Sequence, residues 1–330
     1  MESQIHQLFD RISKLHILVL GDVMIDRYLN GKVDRISPEA PVPVVLLQDE
    51  ENRLGGAANV ALNLISLGAR TSLVSVIGQD QNGSIFLDLM PGAGLHTKGI
   101  IRSVTRPTTV KTRVIAQNQH LLRVDRETTE KLNPEETRQI LHTLQQVIDT
   151  DRPDLILFQD YDKGVLGAEL IEQVMDMAES NSILTAVDPK KANFWNYKRV
   201  TLFKPNLKEV RDSLAFSVIA SKVSLSQASD YIREKLGNQH TLITLSEKGL
   251  FIDSADETVL LGTKPRTIAD VCGAGDTVIS IAAAALAAGA STDQIAQLSN
   301  LAGGQVCEKV GVVPVDRDLL IWEYLADSHQ

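Results

Sequence analysis

The stretch Asp270-Val271-Cys272-Gly273-Ala274-Gly275-Asp276 runs straight into an apolar, alanine-rich segment that extends to Ala290. This order predicts a helix whose first turn carries a carboxylate beside glycine-flanked backbone amides. Amide N–H groups at a helix start have no intrahelical partner, and the macrodipole adds about half a positive charge there, so negative charge is stabilised at that spot. Gly273 and Gly275 remove the Cβ atoms that would keep a phosphoryl group away from the backbone. Asp276 then stands where it can accept a proton from a nucleophile, while the amides of Gly273, Ala274 and Gly275 face the charge that develops during transfer. An acidic N-cap after a glycine turn has the same local pattern, so the rest of the chain has to separate the two readings.

With 330 residues, 43% of them hydrophobic and 23% charged, the chain is long enough for one large α/β unit, and residues 1–330 are read as a single domain. A net charge of −9 excludes general binding to nucleic acid or acidic lipid, which needs clustered cations. Any anionic ligand must therefore be held by a few placed Lys and Arg side chains. Cys272 and Cys307 have neither metal-ligand spacing nor a disulfide framework, which fits a reducing cytoplasm. No secretion leader is expected, because the first apolar run is only Ile17 to Leu20, and Val278 to Ala290 is too short to span a bilayer. The histidines, His16, His120 and His240 among them, lack ligand spacing and suggest no metal site.

Strand-like runs at His16–Leu20, Thr71–Ile77, Leu155–Gln159, Ile183–Val187, Val200–Phe203 and Thr241–Leu245 alternate with helical patterns at Gly55–Leu67, Glu135–Ile148, Leu166–Glu179 and Gln227–Leu236. Such alternation predicts a mostly parallel sheet with helices on both faces. Two segments, about residues 27–50 and 99–126, break the pattern with prolines and extended stretches around the Asn118-Gln119 turn. They are expected to pack together as a small β-sheet lid over the C-terminal strand edges, where open α/β sheets bind ligands, and the lid's apolar face offers a homodimer contact. Sheet-edge hairpins are the simpler alternative.

A second glycine signal, Gly55-Gly56-Ala57-Ala58-Asn59, opens a predicted helix that Gly68 closes. Its adjacent glycines do not fit the spaced dinucleotide fingerprint, and the chain has no Gly-x-x-x-x-Gly-Lys-Ser/Thr. Together with Asp-x-x-Gly-Ala-Gly-Asp late in the chain, this early segment resembles the two signatures of the ribokinase-like (phosphofructokinase B) carbohydrate kinases. Further marks follow in order at Gly21 to Asp26, Asn206-Leu207-Lys208-Glu209 and Thr244 to Gly249. Gly21 to Tyr28, Arg35 to Val44 and Asp160-Tyr161-Asp162-Lys163-Gly164 resemble the kinase domain of bacterial D-glycero-β-D-manno-heptose 7-phosphate kinases. In many of those an adenylyltransferase domain follows, so the resemblance implies a kinase-only version. It also implies a three-layer α/β/α sandwich with a mostly parallel central sheet, and ATP-dependent transfer to the sugar 1-hydroxyl in ADP-heptose synthesis for lipopolysaccharide. Cys272 and Asp162 depart from the usual residues of those segments.

Carried over position by position, the resemblance makes Asp276 the general base, with Gly273, Ala274 and Gly275 as its anion hole. Asp26, Gly55, Gly56 and Asn59 would meet sugar hydroxyls. Lys111, Arg113, Asn118, Gln119 and Arg123 in the lid would hold the distal phosphate; solvated surface charges are the alternative. Lys163 and Lys190 would neutralise the transferring phosphates. Asn206, Leu207, Lys208 and Glu209 would lie by the nucleotide, Glu209 organising magnesium through water. Thr244, Ser246 and Gly249 would approach the nucleotide phosphates, and Asn300 and Gly303 would border the adenine. A monovalent cation such as potassium is a further expectation beside the Asp270 loop. Two alternatives stay open on the sequence: a kinase of the same family acting on fructose or tagatose phosphate, and a catalytically silent sugar or nucleotide sensor.

Overall fold

The computed structural model describes residues 2–117 and 119–327. In chain order its strands are β1 (His16–Gly21), β2 (Val23–Ile36), β3 (Pro43–Gly56), β4 (Arg70–Gly78), β5 (Ile100–Ser103), β6 (Val110–Ala116), β7 (Gln119–Arg126), β8 (Leu155–Gln159), β9 (Leu184–Asp188), β10 (Leu202–Phe203), β11 (His240–Thr244), β12 (Leu250–Asp253) and β13 (Thr258–Leu261). Because side chains alternate along a strand, β1 sends Ile17 and Val19 to one face and Leu18 and Leu20 to the other, and all four are fully buried. Both faces must therefore be covered. Ile17, Val19, Leu155 and Leu157 belong to one apolar core with the helices Glu2–Ile12, Ala57–Ser66, Ala274–Ala287 and Thr292–Cys307. Leu18, Leu20, Ile156 and Phe158 belong to a second core with the helices Pro134–Asp151, Ala168–Ser180 and Lys222–Leu236. The result is the expected three-layer sandwich, ribokinase-like in its plan.

The central sheet runs β13-β12-β11-β10-β9-β8-β1-β4-β5, parallel from β5 to β11, with β12 and β13 antiparallel at one edge. β10 is shorter than the expected Val200–Phe203 strand. There Thr185 and Thr201 exchange N–H to Oγ1 bonds of 3.1 and 3.0 Å, and side-chain oxygens take the place of the backbone ladder. A second sheet of four strands, β3-β2-β6-β7, is reached when the chain leaves β1 at Gly21, and it returns through Gly56 to the helix Ala57–Ser66. This small sheet starts earlier than the expected segment, at Val23. Within the stretch 99–126 only β6 and β7 belong to it, because β5 pairs in parallel with β4 in the central sheet. The helix expected from Gly55 starts at Ala57, since Gly56 adopts φ +63° and its Cβ position would lie on the Asp22 carbonyl.

Alanine is what lets the helix Ala274–Ala287 sit deep in the fold. Ala282, Ala283, Ala284 and Ala285 are fully buried, so neighbouring backbones approach closely. Among the described residues no helix is long and apolar enough to cross a membrane.

Candidate active site

Gly21, Gln159 and Asp188 end three adjacent parallel strands, β1, β8 and β9, and the helix Ala274–Ala287 points its N-terminus at this edge. Gly273 caps that helix at φ +80°, a left-handed conformation that a side chain would strain. The first helical turn carries the amides of Gly275 and Asp276 without an acceptor among the described residues, and Thr277 is the next to bond, to the Gly273 carbonyl at 2.9 Å. A Cβ on Gly275 would make ordinary contacts only, with Asp188 Oδ2 at 3.8 Å and Lys204 Nζ at 4.0 Å.

Asp276 is 5% exposed and held by three donors. Asn59 Nδ2 donates to its Oδ2 at 2.7 Å, while Tyr161 Oη and Gln159 Nε2 donate to Oδ1 at 2.5 and 3.2 Å. Burial pushes its carboxyl up to about 6; the bonds from Tyr161 and Asn59 pull the other way. A carboxyl tuned near the working pH is suited to accept a proton.

On the sugar side, β2 and β3 pair Met24 with Gly55 and Asp26 with Arg53, so the Asp26 carboxylate lies against Gly55, where any Cβ would collide with it. Arg113 in β6 reaches Asp26 at 2.5 Å, both nearly buried, and lies over the Tyr28 ring at 5.3 Å. Cys272 faces Asp270 and Arg113; burial first, then the Asp270 carboxylate, pushes its thiol up, so it is a neutral group beside this pair. Lys111 meets Asp125 and Glu127, each at 3.2 Å, and Lys163 meets Glu127 at 2.9 Å, not the neighbouring Asp162. Arg123 pairs with Asp125 with its side chain 61% exposed, Gln119 is exposed, and Asn118 lies outside the described residues. Asp26, Gly55, Gly56, Asn59, Arg113 and Asp276 are thus brought together, while Lys111 and Arg123 on the small sheet and Lys163 in the loop after β8 form a separate ionic network through Asp125 and Glu127.

The nucleotide-side residues follow the strand edge. Lys190 binds Glu209 Oε1 at 2.7 Å and Asp188 Oδ1 at 3.4 Å; burial works against its charge, but the two carboxylates win and raise its pKa. Asn206 and Glu209 form a reciprocal cap, each N–H bonded to the other's side chain at 2.8 Å, at the start of the helix Leu207–Ser213. Leu207 packs on the second core, and Lys208 faces solvent, paired with Asp212 at 2.5 Å. Thr244, ending β11, makes an isolated parallel bridge to Asn206, beyond the end of β10. Ser246 and Gly249 make the tight turn into β12 at φ +55° and +94°, and Asn300 donates to the Gly262 carbonyl at 2.8 Å. At Gly303 a Cβ would come within 2.9 Å of Val278 in the neighbouring helix, so glycine lets the two helices pack closely there.

Four contributors carry no role in the sequence reading. Gln159 and Tyr161 touch Asp276 directly, and Asp188 is joined to a buried Lys204 at 3.0 Å. A lysine inside the apolar run Leu202-Phe203-Lys204-Pro205 is the one local sign of this, since an ammonium is buried only with a partner.

A three-layer α/β fold with a small sheet beside its strand ends, and a buried aspartate at a glycine-capped helix start, defines a ribokinase-like phosphotransferase. The chain belongs to the pfkB family of carbohydrate kinases, whose family model matches residues 14–317, and it is accordingly an enzyme that phosphorylates an alcohol group. It is 40% identical over 313 residues to Bifunctional protein HldE of Geobacter sulfurreducens and 42% identical over 312 residues to that of Trichlorobacter lovleyi. Each alignment covers 94% of this chain and 63% of the relative, so the chain spans less than two thirds of their length. Similar solved structures include phosphofructokinase-2 from Escherichia coli in complex with substrates and products (TM-score 0.79, 18% identity, covering 96% of this chain and 99% of that one). Ribokinase of Arabidopsis thaliana complexed with ribose and ATP is also similar (TM-score 0.70, 18% identity, 94% and 99% covered). At that identity the two structures bear on the fold alone.

Proposed function

We propose that this kinase uses ATP to phosphorylate the 1-hydroxyl of D-glycero-β-D-manno-heptose 7-phosphate, giving the 1,7-bisphosphate for ADP-heptose synthesis in the cytoplasm. The observation that carries the reading is the Asp276 cluster, with its carboxylate beside free helix amides and hydrogen-bonded to Asn59. The choice of heptose is supported by the resemblance of Gly21 to Tyr28, Arg35 to Val44 and Asp160 to Gly164 to heptose phosphate kinases, and by the relatives named HldE. In this reading Asp276 takes the proton of the acceptor hydroxyl, and the amides of Gly273 and Gly275, with that of Asp276, receive the charge of the transferring phosphoryl group, whereas the expected Ala274 N–H is turned to the Val271 carbonyl at 3.4 Å. Asp26 with Gly55, Gly56 and Asn59 orients the sugar, and Arg113, bonded to Asp26, is the lid cation set beside it; Lys111 and Arg123 would have to leave their acidic partners to reach a distal phosphate.

Lys190, Thr244, Ser246 and Gly249 line the nucleotide phosphates, with Asn206, Leu207, Lys208, Asn300 and Gly303 around them. Among the described residues no group of three or more His, Cys, Asp or Glu side chains gathers as a metal cage. Both Glu209 oxygens are engaged, Oε1 by Lys190 and Oε2 by the Asn206 N–H, which fits an outer contact to magnesium, an ion that takes few protein oxygens and keeps water and phosphate as its other ligands. The ion would draw charge from the phosphates, with Glu209 holding it through water and Lys190 adding a second positive charge. A monovalent cation such as potassium beside the Asp270 loop is the further cofactor this reading would add. A homodimer through the small sheet is the expected assembly.

The test is phosphoryl transfer with magnesium-ATP to heptose 7-phosphate, fructose 6-phosphate and tagatose 6-phosphate, read as ADP formed and as the position phosphorylated. A kcat/KM at least about 10²-fold higher for the heptose is expected, as for a site built to bond a particular set of hydroxyls. Poor transfer to the heptose overturns the substrate; binding of both ligands without ADP overturns the catalytic reading in favour of a sensor.

A further inference from the structure

We propose that Tyr161 is the positioning residue of the catalytic aspartate, its hydroxyl occupying one carboxylate oxygen of Asp276 so that the other receives the acceptor's proton. This rests on the reading of Asp276 as the general base. Each carboxylate oxygen has two in-plane lone-pair sites. Oδ1 has both taken, by Tyr161 Oη at 2.5 Å and Gln159 Nε2 at 3.2 Å, whereas among the described residues Oδ2 accepts only Asn59 Nδ2 at 2.7 Å. The lone pair without a protein donor among them is on Oδ2. As the O–P bond to the acceptor forms and the P–O bond to the nucleotide breaks, the acceptor's O–H proton passes to that oxygen.

The Tyr161 contact is short and charge-assisted, the strong class of hydrogen bond. Tyr161 is suited to give rather than lose its proton: burial, then the Asp276 charge, holds its phenol well above the usual range. Its ring lies under the Lys190 ammonium at 5.8 Å, and Lys190 is tied to Asp188 and Glu209, so the residue that fixes the base also touches the cation on the nucleotide side. The segment is itself fixed, because the Tyr161 N–H donates to Asp22 at 2.8 Å. The other groups bearing on Asp276 are Asp188 at the end of β9, whose charge opposes its ionisation, and Lys204 after β10, whose charge favours it; Asp26 and Asp188 also face Tyr161.

The experiment uses Tyr161→Phe, which keeps the ring over which Lys190 lies and removes only the hydroxyl. Expected are a kcat lowered about 10-fold, a KM for the sugar phosphate changed far less, and an acid limb of kcat/KM displaced upward by about one pH unit, the loss of one hydrogen bond to the charged form. Replacing Tyr161 by 3-fluorotyrosine, a stronger donor of nearly the same size, should move the limb downward. An acid limb unmoved by either substitution overturns the proposal, and so does a Tyr161→Phe enzyme with the parent's kcat. Should Tyr161→Phe fold poorly, the fluorinated protein decides alone. Full activity of Asp276→Asn would instead bring down the base assignment itself, so the two failures are distinguishable.

Discussion

A carboxylate buried without a cation in contact carries its desolvation cost into the stability of the protein, and this gives Asp276 a signature apart from turnover. Its carboxyl titrates at about 6 in the folded chain against 3.8 ordinarily, for the burial already described. Between those values the folded state binds a proton that the unfolded chain has released. The residue's contribution to stability is therefore complete below pH 3.8 and is lost as pH rises through 6. Asp276→Asn removes this dependence. Unfolding by urea should give a free energy, variant minus parent, that grows by about 2–3 kcal/mol between pH 4 and 7. Over the same change kcat should fall ~10²–10⁴-fold while ATP and sugar still bind. A difference that stays level with pH would mean a solvated carboxylate, and the tuned base would lose its foundation.

The loop after β8 is the element on which the site depends, and one side chain far away in sequence holds it. Asp22, directly after β1, accepts the backbone N–H groups of Tyr161, Lys163 and Val165 at 2.8, 3.1 and 3.0 Å. Burial and then the nearby Asp160 raise its carboxyl to about 6, with the three amides opposing them. Asp22→Asn turns one acceptor oxygen into a donor facing an N–H. It should cost about 2 kcal/mol, speed hydrogen exchange at residues 161–165, and lower kcat through the displaced Tyr161. Unchanged exchange would show that other contacts secure the loop.

This dependence also marks where sequence reading stops. Periodicity and glycine punctuation locate the strands and helices, because those signals are local, and the two glycine motifs locate Asn59 and Asp276. The contact from Tyr161 to Asp276 spans 115 residues and that from Tyr161 to Asp22 spans 139, and no local pattern encodes either. Asp22 follows its strand too closely for sequence to separate a ligand contact from a turn, and it is the fold that turns it toward the loop. Thr185 and Thr201 shorten β10 for the same reason, as their exchange of hydrogen bonds exists only once two distant segments are side by side.

At the scale of the whole molecule the small sheet is the part whose surface is not explained by a single chain. Every residue of β7 is exposed, Leu122 and Val124 at 60% and 52%, and β3 exposes Leu46 and Leu47 at 64% and 51%. An edge strand with open N–H and C=O groups and apolar side chains is a pairing liability unless something covers it. A second copy would meet that need with the same surface, and closed two-fold pairing is the commonest form of self-association. Such pairing would also stiffen the sheet that carries Arg113 to Asp26, joining assembly to sugar binding. Leu46→Glu combined with Leu122→Glu places charges on that surface without touching the Asp276 cluster. Light scattering should then report a monomer where the parent is a dimer, with the KM for the sugar phosphate raised more than that for ATP. A parent that is monomeric at assay concentration, or a variant that remains dimeric, would assign the exposed leucines to some other use.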